Sequence, residues 1–241
     1  MPDLFRILGP RIRKSIKARG VLGTISRSLR APWHLLNEWR VAQRLYSSRS
    51  ADAFDLQHNV ETSQRVHPAD MRVNSDNWAY GTGYIPTASE LVSEILAVLP
   101  ISHENFTFVD LGSGKGRVLL MASEYPFSHI IGVEYAPELH AAAVKNVGTY
   151  RSPTQKCKSI ECRCGDIAEF VFPDTPLVVF LFNPAQEAVI ERLATHLIAS
   201  FRQTPREVWV IYVNPVHRSF FSALSLAWQK DSYAVFRAFA V

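Results

Sequence analysis

Residues 108–117 read FVDLGSGKGR, and this stretch combines a short apolar run, a glycine-rich turn and the start of the next helix. Glycines allow positive φ angles and let a ligand approach the backbone closely. A helix start offers unpaired N–H groups and a partial positive charge. In a parallel sheet, such a turn lies at the carboxyl ends of the strands, where ligands bind. The stretch therefore predicts a parallel α/β sheet with a ligand site beside its glycine turn.

Two nucleotide-binding patterns do not fit this turn. A phosphate-binding P-loop needs G-x-x-x-x-G-K-[ST], but Val109 stands in place of its first glycine and Gly116 in place of its final Ser or Thr. A dinucleotide fingerprint needs G-x-G-x-x-G, and Arg117 occupies the position of its third glycine. The pattern that remains is acid-x-G-x-G-x-G, which begins at Asp110.

The chain beyond this turn alternates between buried-strand and helix patterns. Apolar runs predict strands at residues 106–111, 130–133, 159–164, 177–182 and 207–213. Apolar periodicity predicts helices at 87–99, 114–123, 137–147 and 186–201, the first of them capped by Thr87 or Ser89. A short helix at 217–224 and a strand hairpin at 227–231 and 234–241 follow. We therefore expect a three-layer α/β fold with a seven-stranded, mostly parallel sheet and an antiparallel terminal strand.

Polar residues follow three further predicted strands. Glu134 ends the second, where a carboxylate accepts hydrogen bonds from both ribose hydroxyls of an adenosine or, alternatively, caps the next helix at the surface. Asp166 and Ile167 follow the third strand, where an ordinary turn Asp is the alternative. Asn183 and Pro184 follow the fourth, and there the alternative is a helix-capping Asn with Pro in the first turn.

The glycine turn, Glu134 and Asp166 together resemble class I S-adenosylmethionine-dependent methyltransferases, and residues 80–241 resemble them throughout. The resemblance implies a Rossmann-like methyltransferase fold and S-adenosyl-L-methionine as the cofactor. In this family the Asp166 position bonds the adenine amino group, and the Asn183 position lies beside the transferable methyl group. The cofactor-binding residues it implies are Asp110, Gly112, Ser113, Gly114, Gly116, Glu134, Asp166, Ile167 and Asn183.

The span from residues 54–55 through 84–87, then residues 108–117 and 182–184, is similar to a group of bacterial methyltransferases. Residues 109–114 and 132–134 also resemble non-SET protein-lysine methyltransferases. In those proteins a Tyr- or Pro-containing segment before the first strand holds the methionine end of the cofactor. The resemblance implies that role for Tyr84 and Thr87, for which helix capping and loop packing are the alternatives.

The prediction for the reaction is methyl transfer to an amine nitrogen, with Asn183 and Pro184 as the catalytic residues. Some amino-group methyltransferases carry Asn or Asp before Pro-Pro-aromatic, and the Asn oxygen holds the target nitrogen. Ala185 and Gln186 replace the Pro-aromatic pair here, so stacking of a planar amine is not supported. Alignment and desolvation can supply the catalysis without a base, although His217 is a candidate base. Alternatives are a protein-lysine methyltransferase, an aminopropyl transferase, and a non-catalytic S-adenosylmethionine-binding module docked to a membrane or partner.

Charge is distributed unevenly along the chain. Residues 1–49 hold eleven Lys and Arg and two acids, a net charge of +9, while the remainder carries −5 of the overall +4. We expect residues 1–50 to form a basic amphipathic helical arm that binds an anionic membrane surface or an acidic partner, or packs on the domain. Residues 51–87 are expected to be an irregular bridge in which Trp78, Tyr80 and Tyr84 form a lid, and residues 88–241 the cofactor-binding domain. The acidic balance of the core disfavours nucleic acid.

Three cysteines, an odd number, argue against a disulfide framework, and their C-x4-C-x-C spacing is not a usual zinc pattern, so no metal is expected. Cys162 and Cys164 should alternate along a strand and pack as small apolar residues. The longest apolar run, residues 177–182, is too short to span a bilayer. Gly9, Pro10 and the basic residues near them do not suit a signal peptide. The expected location is cytoplasmic, with peripheral attachment to the inner membrane if the arm binds lipid.

Overall fold

The computed structural model of the protein describes residues 48–66 and 83–239. The predicted lid residues Trp78 and Tyr80 and nearly all of the predicted arm lie outside these ranges. The described helices are α1 (Ser48–His58), α2 (Ser89–Val98), α3 (Arg117–Ala122), α4 (Pro137–Thr149) and α5 (Glu187–Gln203). The strands are β1 (Thr107–Leu111), β2 (His129–Glu134), β3 (Ile160–Cys164), β4 (Leu177–Phe182), β5 (Val208–Val213), β6 (Ser225–Gln229) and β7 (Tyr233–Ala238).

The strands form one seven-stranded sheet in the order β3-β2-β1-β4-β5-β7-β6. The first five strands of this order are parallel, whereas β7 runs antiparallel to both β5 and β6. Successive residues of β1 pack on opposite faces: Phe108 joins the core beneath α2 and α3, and Val109 joins the core beneath α5. This double covering explains the continuous apolar runs of the central strands. The predicted three-layer, mostly parallel fold with an antiparallel terminal strand is confirmed.

Helix α1 is a departure from the prediction, because it extends into the stretch expected to be irregular. Its sequence has no apolar stripe, and Leu56 is 85% exposed. Side chains from its second half dock it instead, and Phe54 is among them. The Phe54 ring stacks on the Tyr150 ring with centroids 6.4 Å apart, and the guanidinium of Arg117 lies 4.3 Å from the Phe54 ring centroid. Tertiary packing thus fixes a helix that periodicity does not reveal.

Two local predictions at helix ends are also wrong. Helix α2 has Ala88 as its N-cap and no side-chain capping bond. The Ser89 hydroxyl accepts a hydrogen bond from Arg117 instead, as does the Thr87 carbonyl. The helix expected at residues 217–224 is a short 3-10 turn, Arg218–Phe221. It follows Asn214, whose φ of +50° breaks the chain direction after β5.

Residues 59–66, which we call the strap, connect α1 to the sheet domain. The Asn146 side chain of α4 fastens the strap by accepting from Glu61 N (2.9 Å) and donating to Glu61 O (3.1 Å). The same Asn146 amide donates to Lys115 O at 2.9 Å, inside the glycine turn. At the other end, Val66 and Tyr84 exchange two backbone hydrogen bonds of 3.2 and 2.9 Å. The strap therefore lies directly beside the glycine turn.

All three cysteines are free thiols. Cys157 is buried and Cys162 packs partly against the core, but Cys164 is exposed because β3 is an edge strand. The expectation that Cys164 packs as an apolar residue is wrong. Within the described ranges, no three His, Cys, Asp or Glu side chains converge as metal ligands. In those same ranges, no helix has both the length and the apolar character to cross a membrane.

Candidate functional site

A cleft lies at the carboxyl ends of β1, β2 and β4, between the glycine turn and residues 83–87. This is the edge of a parallel sheet at which α/β proteins bind ligands. Of the residues predicted from the sequence, eight line the cleft: Tyr84, Thr87, Asp110, Gly112, Ser113, Gly114, Glu134 and Pro184. Gly116, Asp166, Ile167 and Asn183 do not line it.

The glycine turn is shaped by two close approaches. Gly112 and Gly114 have φ angles of +89° and +54°. A Cβ atom on Gly112 would lie 2.4 Å from Pro184 Cβ, and one on Gly114 would lie 2.3 Å from the Tyr84 ring. A side chain at either position would clash with the wall of the cleft as well as strain the backbone. The two glycines thus bring Pro184 and Tyr84 against the turn.

Gly116 has a different role from its two neighbours. Its φ is +81°, and it forms the N-cap of α3. A Cβ atom there would lie 3.2 Å from the Cβ of Ala143 in α4. Its contact is therefore with a packed helix rather than with the cleft, as for the third glycine of dinucleotide-binding turns.

Glu134, at the end of β2, is 3% exposed and faces the cleft. One carboxylate oxygen accepts from Gly114 N at 2.8 Å, and the other accepts from Ala136 N at 2.8 Å. Burial raises the pKa of this carboxyl to about 7, although the backbone hydrogen bonds oppose that rise. The carboxylate is thus already oriented, and the glycine turn is tied to the end of β2.

Asp110 is the second buried acid of the cleft. Burial raises its pKa well above its ordinary value, and the charge of Glu134 adds to that rise. Two acids in one desolvated cleft repel each other when both are ionised. A ligand that brings positive charge or hydrogen-bond donors would offset this cost.

Tyr84 and Thr87 approach the turn from the segment before α2. The Tyr84 hydroxyl donates to Thr62 O at 2.6 Å. Burial raises the pKa of this hydroxyl far above its ordinary value, so it stays protonated and remains a donor. Thr87 is buried, and its carbonyl accepts from Arg117 Nε at 2.9 Å. Hydrogen bonds to Thr62 and Arg117 therefore fix the positions of Tyr84 and Thr87.

Asp166 and Ile167 lie away from the cleft lining. Asp166 is the N-cap of the 3-10 turn Ile167–Glu169, and its carboxylate accepts from Ala168 N at 2.9 Å. Ile167 is 4% exposed and belongs to the core beneath α5. A local capping bond is therefore present at Asp166, and adenine binding by this residue stays a prediction.

Asn183 and Pro184 follow β4 in an unusual backbone conformation, with φ of +38° at Asn183. The Asn183 amide oxygen accepts from the Tyr212 hydroxyl at 3.2 Å. That hydroxyl also takes part in a hydrogen bond with the His217 backbone. Helix α5 begins only at Glu187, with Gln186 as its N-cap, so the alternative of Asn183 as the helix cap is wrong. The Asn183 side chain is positioned by the end of β5 instead.

Sequence reasoning missed several residues of the cleft wall. Arg117, Tyr135 and Leu139 line it, as does Phe182 at the end of β4. A signal for Tyr135 exists, because it directly follows the predicted ribose-binding acid. Arg117 was visible only as a misfit to the dinucleotide pattern, and its partners lie far away in the sequence.

No family model matches this chain. It is 46% identical over 54 residues to a Drosophila melanogaster protein, "Histone-lysine N-methyltransferase, H3 lysine-79 specific", which is 22% of this chain and 3% of that protein. This chain therefore spans only a small part of that relative's length.

Solved structures similar to this chain include two methyltransferases. One is an RNA methyltransferase from Salinibacter ruber in complex with S-adenosyl-L-homocysteine. The two sequences are 22% identical, the match covers 64% of this chain and 92% of that chain, and the TM-score is 0.46. Another is a predicted N6-adenine-specific DNA methylase from Listeria monocytogenes. The two sequences are 13% identical, the match covers 65% of this chain and 52% of that chain, and the TM-score is 0.49. At these identities and scores, neither similarity identifies a substrate.

The sheet itself decides the fold class. Its strands follow the order β3-β2-β1-β4-β5-β7-β6, with β7 antiparallel. A glycine turn follows β1, and an acid ends β2. The chain has the class I methyltransferase fold.

Proposed function

We propose that this protein is an S-adenosylmethionine-dependent methyltransferase that transfers a methyl group to an amine nitrogen. The observation that carries the proposal is the Glu134 carboxylate, which faces the cleft while Gly114 N and Ala136 N hold both of its oxygens. A buried carboxylate in this orientation suits the paired hydroxyls of a ribose. No bulkier residue fits at Gly112 or Gly114 beside it, because a Cβ atom would meet Pro184 at the first position and Tyr84 at the second.

We infer that residues of the cleft wall provide contacts for the ribose, the adenine and the methionine end of the cofactor. Glu134 would hold the ribose, and Tyr135 and Leu139 would pack beside the adenine. Asp110 and Glu134 would offset the positive charges of the ammonium and sulfonium groups, which answers the cost of two buried acids. Tyr84 and Thr87 would hold the methionine end. When bound, the cofactor supplies an electrophilic methyl group on a positively charged sulfur.

The acceptor would enter beside Pro184 and Phe182. We infer that Asn183 orients an amine there, because the Tyr212 hydroxyl fixes the amide of Asn183. The amine lone pair would form the new N–C bond as the methyl group leaves sulfur, and S-adenosylhomocysteine would be the second product. The N-methylated ammonium then loses a proton to water. Alignment and exclusion of water would supply most of the rate enhancement.

A protein lysine is the second candidate acceptor. The observation that favours it is the 46% identity over 54 residues with a histone-lysine N-methyltransferase. A lysine side chain and a small amine offer the same reacting nitrogen, and they differ in what surrounds it. Transfer of a radiolabelled methyl group to a protein band in a gel, with none to polyamines or amino acids, would favour a protein lysine as the acceptor.

Calorimetric titration of the full chain with S-adenosylmethionine and S-adenosylhomocysteine tests the proposal. We expect micromolar binding of both molecules, and a loss of at least about tenfold in Glu134→Gln, since two ribose hydrogen bonds to a charged acceptor contribute about 1.5–3 kcal/mol each. The matched control is Glu161→Gln, because Glu161 is a partly exposed acid on the neighbouring strand that pairs with Arg163. It should bind like the wild type. A folded wild-type chain that binds neither molecule would refute the cofactor assignment.

A further inference from the structure

Arg117 is the most heavily engaged buried charge beside the cleft. It directly follows the glycine turn, and its side chain is 1% exposed. Its Nε donates to Thr87 O, its Nη1 to Thr62 Oγ1 and its Nη2 to Ser89 Oγ, at distances of 2.9, 2.8 and 2.9 Å. A buried guanidinium is tolerated only when its donors are satisfied in this way. The residue thus joins the strap and the start of α2 to the glycine turn.

Asp55 supplies the opposite charge. Its Oδ1 lies 3.5 Å from Arg117 Nη1. The same carboxylate accepts from Thr62 N at 2.7 Å, Thr62 Oγ1 at 2.5 Å and Ser63 N at 2.7 Å. The Thr62 hydroxyl therefore donates to Asp55 and accepts from Arg117. This pair of charges fixes the strap at Thr62, a residue that is fully buried.

The fixed strap in turn sets the position of Tyr84. The Thr62 carbonyl accepts from the Tyr84 hydroxyl at 2.6 Å, and Val66 holds the Tyr84 backbone. The other side of the Tyr84 ring rests on Gly114, where a Cβ atom would come within 2.3 Å. A continuous chain of contacts thus leads from Asp55 through Thr62 and Tyr84 to the wall of the cleft.

From this chain of contacts we propose that Asp55 and Arg117 are positioning residues for the cofactor site, which act on it through Thr62 and the hydroxyl of Tyr84. The inference rests on the proposed function, because the molecule whose binding they support is S-adenosylmethionine. It makes α1 and the strap part of the binding site, although neither Asp55 nor Thr62 lines the cleft. Arg117 itself lines the cleft, whereas Asp55 does not, so only the effect of Asp55 on a ligand is wholly indirect.

A double-mutant cycle on the full chain tests the proposal, with S-adenosylhomocysteine as the titrant. Asp55→Ala and Tyr84→Phe should each raise the Kd several-fold to about tenfold, as expected for a lost buried hydrogen bond. If Asp55 acts through the Tyr84 hydroxyl, the double variant should bind no more weakly than the weaker single variant. Fully additive losses would overturn the proposal, since a purely structural role predicts them.

The matched control is Glu61→Gln, one residue before Thr62 on the same strap. Glu61 also pairs with the glycine turn, through Lys115 Nζ at 2.8 Å, but its side chain is 61% exposed. The Lys115 side chain is 6% exposed, but Gln at position 61 keeps an acceptor oxygen for Lys115 Nζ on the solvent-open side of the pair, so the Kd should change less than about twofold. An effect of Glu61→Gln as large as that of Asp55→Ala would mean that any damage to the strap weakens binding, and the proposal would fall.

Hydrogen exchange on the wild-type chain gives a readout that needs no folded variant. Because coupling is reciprocal, saturation with S-adenosylhomocysteine should slow exchange at the amides of Thr62 and Ser63 at least several-fold. Unchanged exchange at these amides would overturn the proposal even if the Asp55→Ala variant did not fold. A wild-type chain that does not bind S-adenosylhomocysteine would instead refute the proposed function, whereas Asp55→Ala and Tyr84→Phe variants that bind like the wild type would refute only the positioning role.

Discussion

At the scale of single residues, Gly114 is constrained twice, by its φ of +54° and by the Tyr84 ring. We expect Gly114→Ala to lower the free energy of unfolding by about 1–3 kcal/mol and to weaken S-adenosylhomocysteine binding by at least about tenfold, because either the ring or the turn must move. Chemical denaturation and calorimetry measure the two effects.

The chain offers a matched control for that change. Gly148 lies in α4, and no atom within 4 Å would meet a Cβ placed there. Gly148→Ala should stabilise the fold by up to about 1 kcal/mol, through helix propensity, and leave binding unchanged. A Gly114→Ala variant that binds as tightly as Gly148→Ala would show that the turn does not carry the ligand.

Glu134 predicts a pH dependence at the same scale. Its pKa is about 7 in the folded protein and 4.5 ordinarily. The unfolded chain therefore releases this proton first as pH rises, so the free energy of unfolding falls between about pH 4.5 and pH 7 and stays lowered above that range. We expect stability to fall less from pH 5 to pH 8 in Glu134→Gln than in the wild type, as measured by chemical denaturation.

Ligand binding should respond to pH in the opposite direction. The ionised Glu134 carboxylate is the acceptor for ribose hydroxyls, so S-adenosylhomocysteine should bind more tightly at pH 8 than at pH 6. Glu161→Gln is the control. The hydrogen bond from Arg163 lowers the pKa of Glu161 to about 2, so Glu161 stays ionised from pH 6 to pH 8 and this variant should show the same pH dependence of binding as the wild type. Equal affinity at pH 6 and pH 8 in the wild type would contradict the role of Glu134.

At the scale of secondary-structure elements, the sheet could be predicted from the sequence and α1 could not. The central strands are covered on both faces, so they appear as continuous apolar runs whose bounds differ by only a few residues from those observed. Helix α1 is docked by Phe54 against Tyr150 and Arg117, and such contacts between distant segments leave no periodic trace. The glycine turn and Glu134 could be predicted because short, contiguous patterns in the sequence mark them. The hydrogen bonds of Arg117 could not, because its partners lie 28 to 55 residues away in the sequence.

Asn146, like the Asp55–Arg117 pair, links separate parts of the fold, because it joins α4 to both the strap and the glycine turn. It is 2% exposed and makes three hydrogen bonds, to Glu61 N, Glu61 O and Lys115 O. Asn146→Ala should destabilise the fold by about 2–3 kcal/mol, since it leaves buried backbone groups without partners. Amide exchange at Glu61 should quicken more than exchange in β1.

The control for this prediction lies on the same helix. Lys145 is exposed, so Lys145→Ala should leave both the stability and the exchange at Glu61 nearly unchanged. Equal quickening of exchange in β1 and at Glu61 in Asn146→Ala would mean that the variant opens the whole domain and that Asn146 has no special hold on the strap.

At the scale of the whole molecule, the chain separates its charge. Residues 1–49 carry +9 and the remaining residues −5. We propose that the basic residues 1–49 attach the protein to an anionic membrane surface, where each Lys or Arg contributes about 1 kcal/mol. Full-length protein should therefore co-sediment with vesicles that contain anionic phosphatidylserine and not with neutral phosphatidylcholine vesicles, and about 0.5 M salt should release it.

Two triple variants of the full-length chain separate this attachment from general surface charge. Changing Arg13, Lys14 and Lys17 to Gln should weaken vesicle binding by at least about tenfold, since three charges near the lipid are lost. Changing Lys145, Lys156 and Lys158 removes the same charge from exposed positions of the described fold, and it should change binding less than about threefold if the first 49 residues carry the contact. S-adenosylhomocysteine affinity should be unchanged in the variant of Lys145, Lys156 and Lys158, because none of these three lines the cleft. The same affinity is expected for the variant of Arg13, Lys14 and Lys17 if these residues serve the membrane contact alone. Equal losses of vesicle binding would place the membrane contact on the net charge of the whole molecule, and no loss in either variant would remove the membrane from the function of this chain.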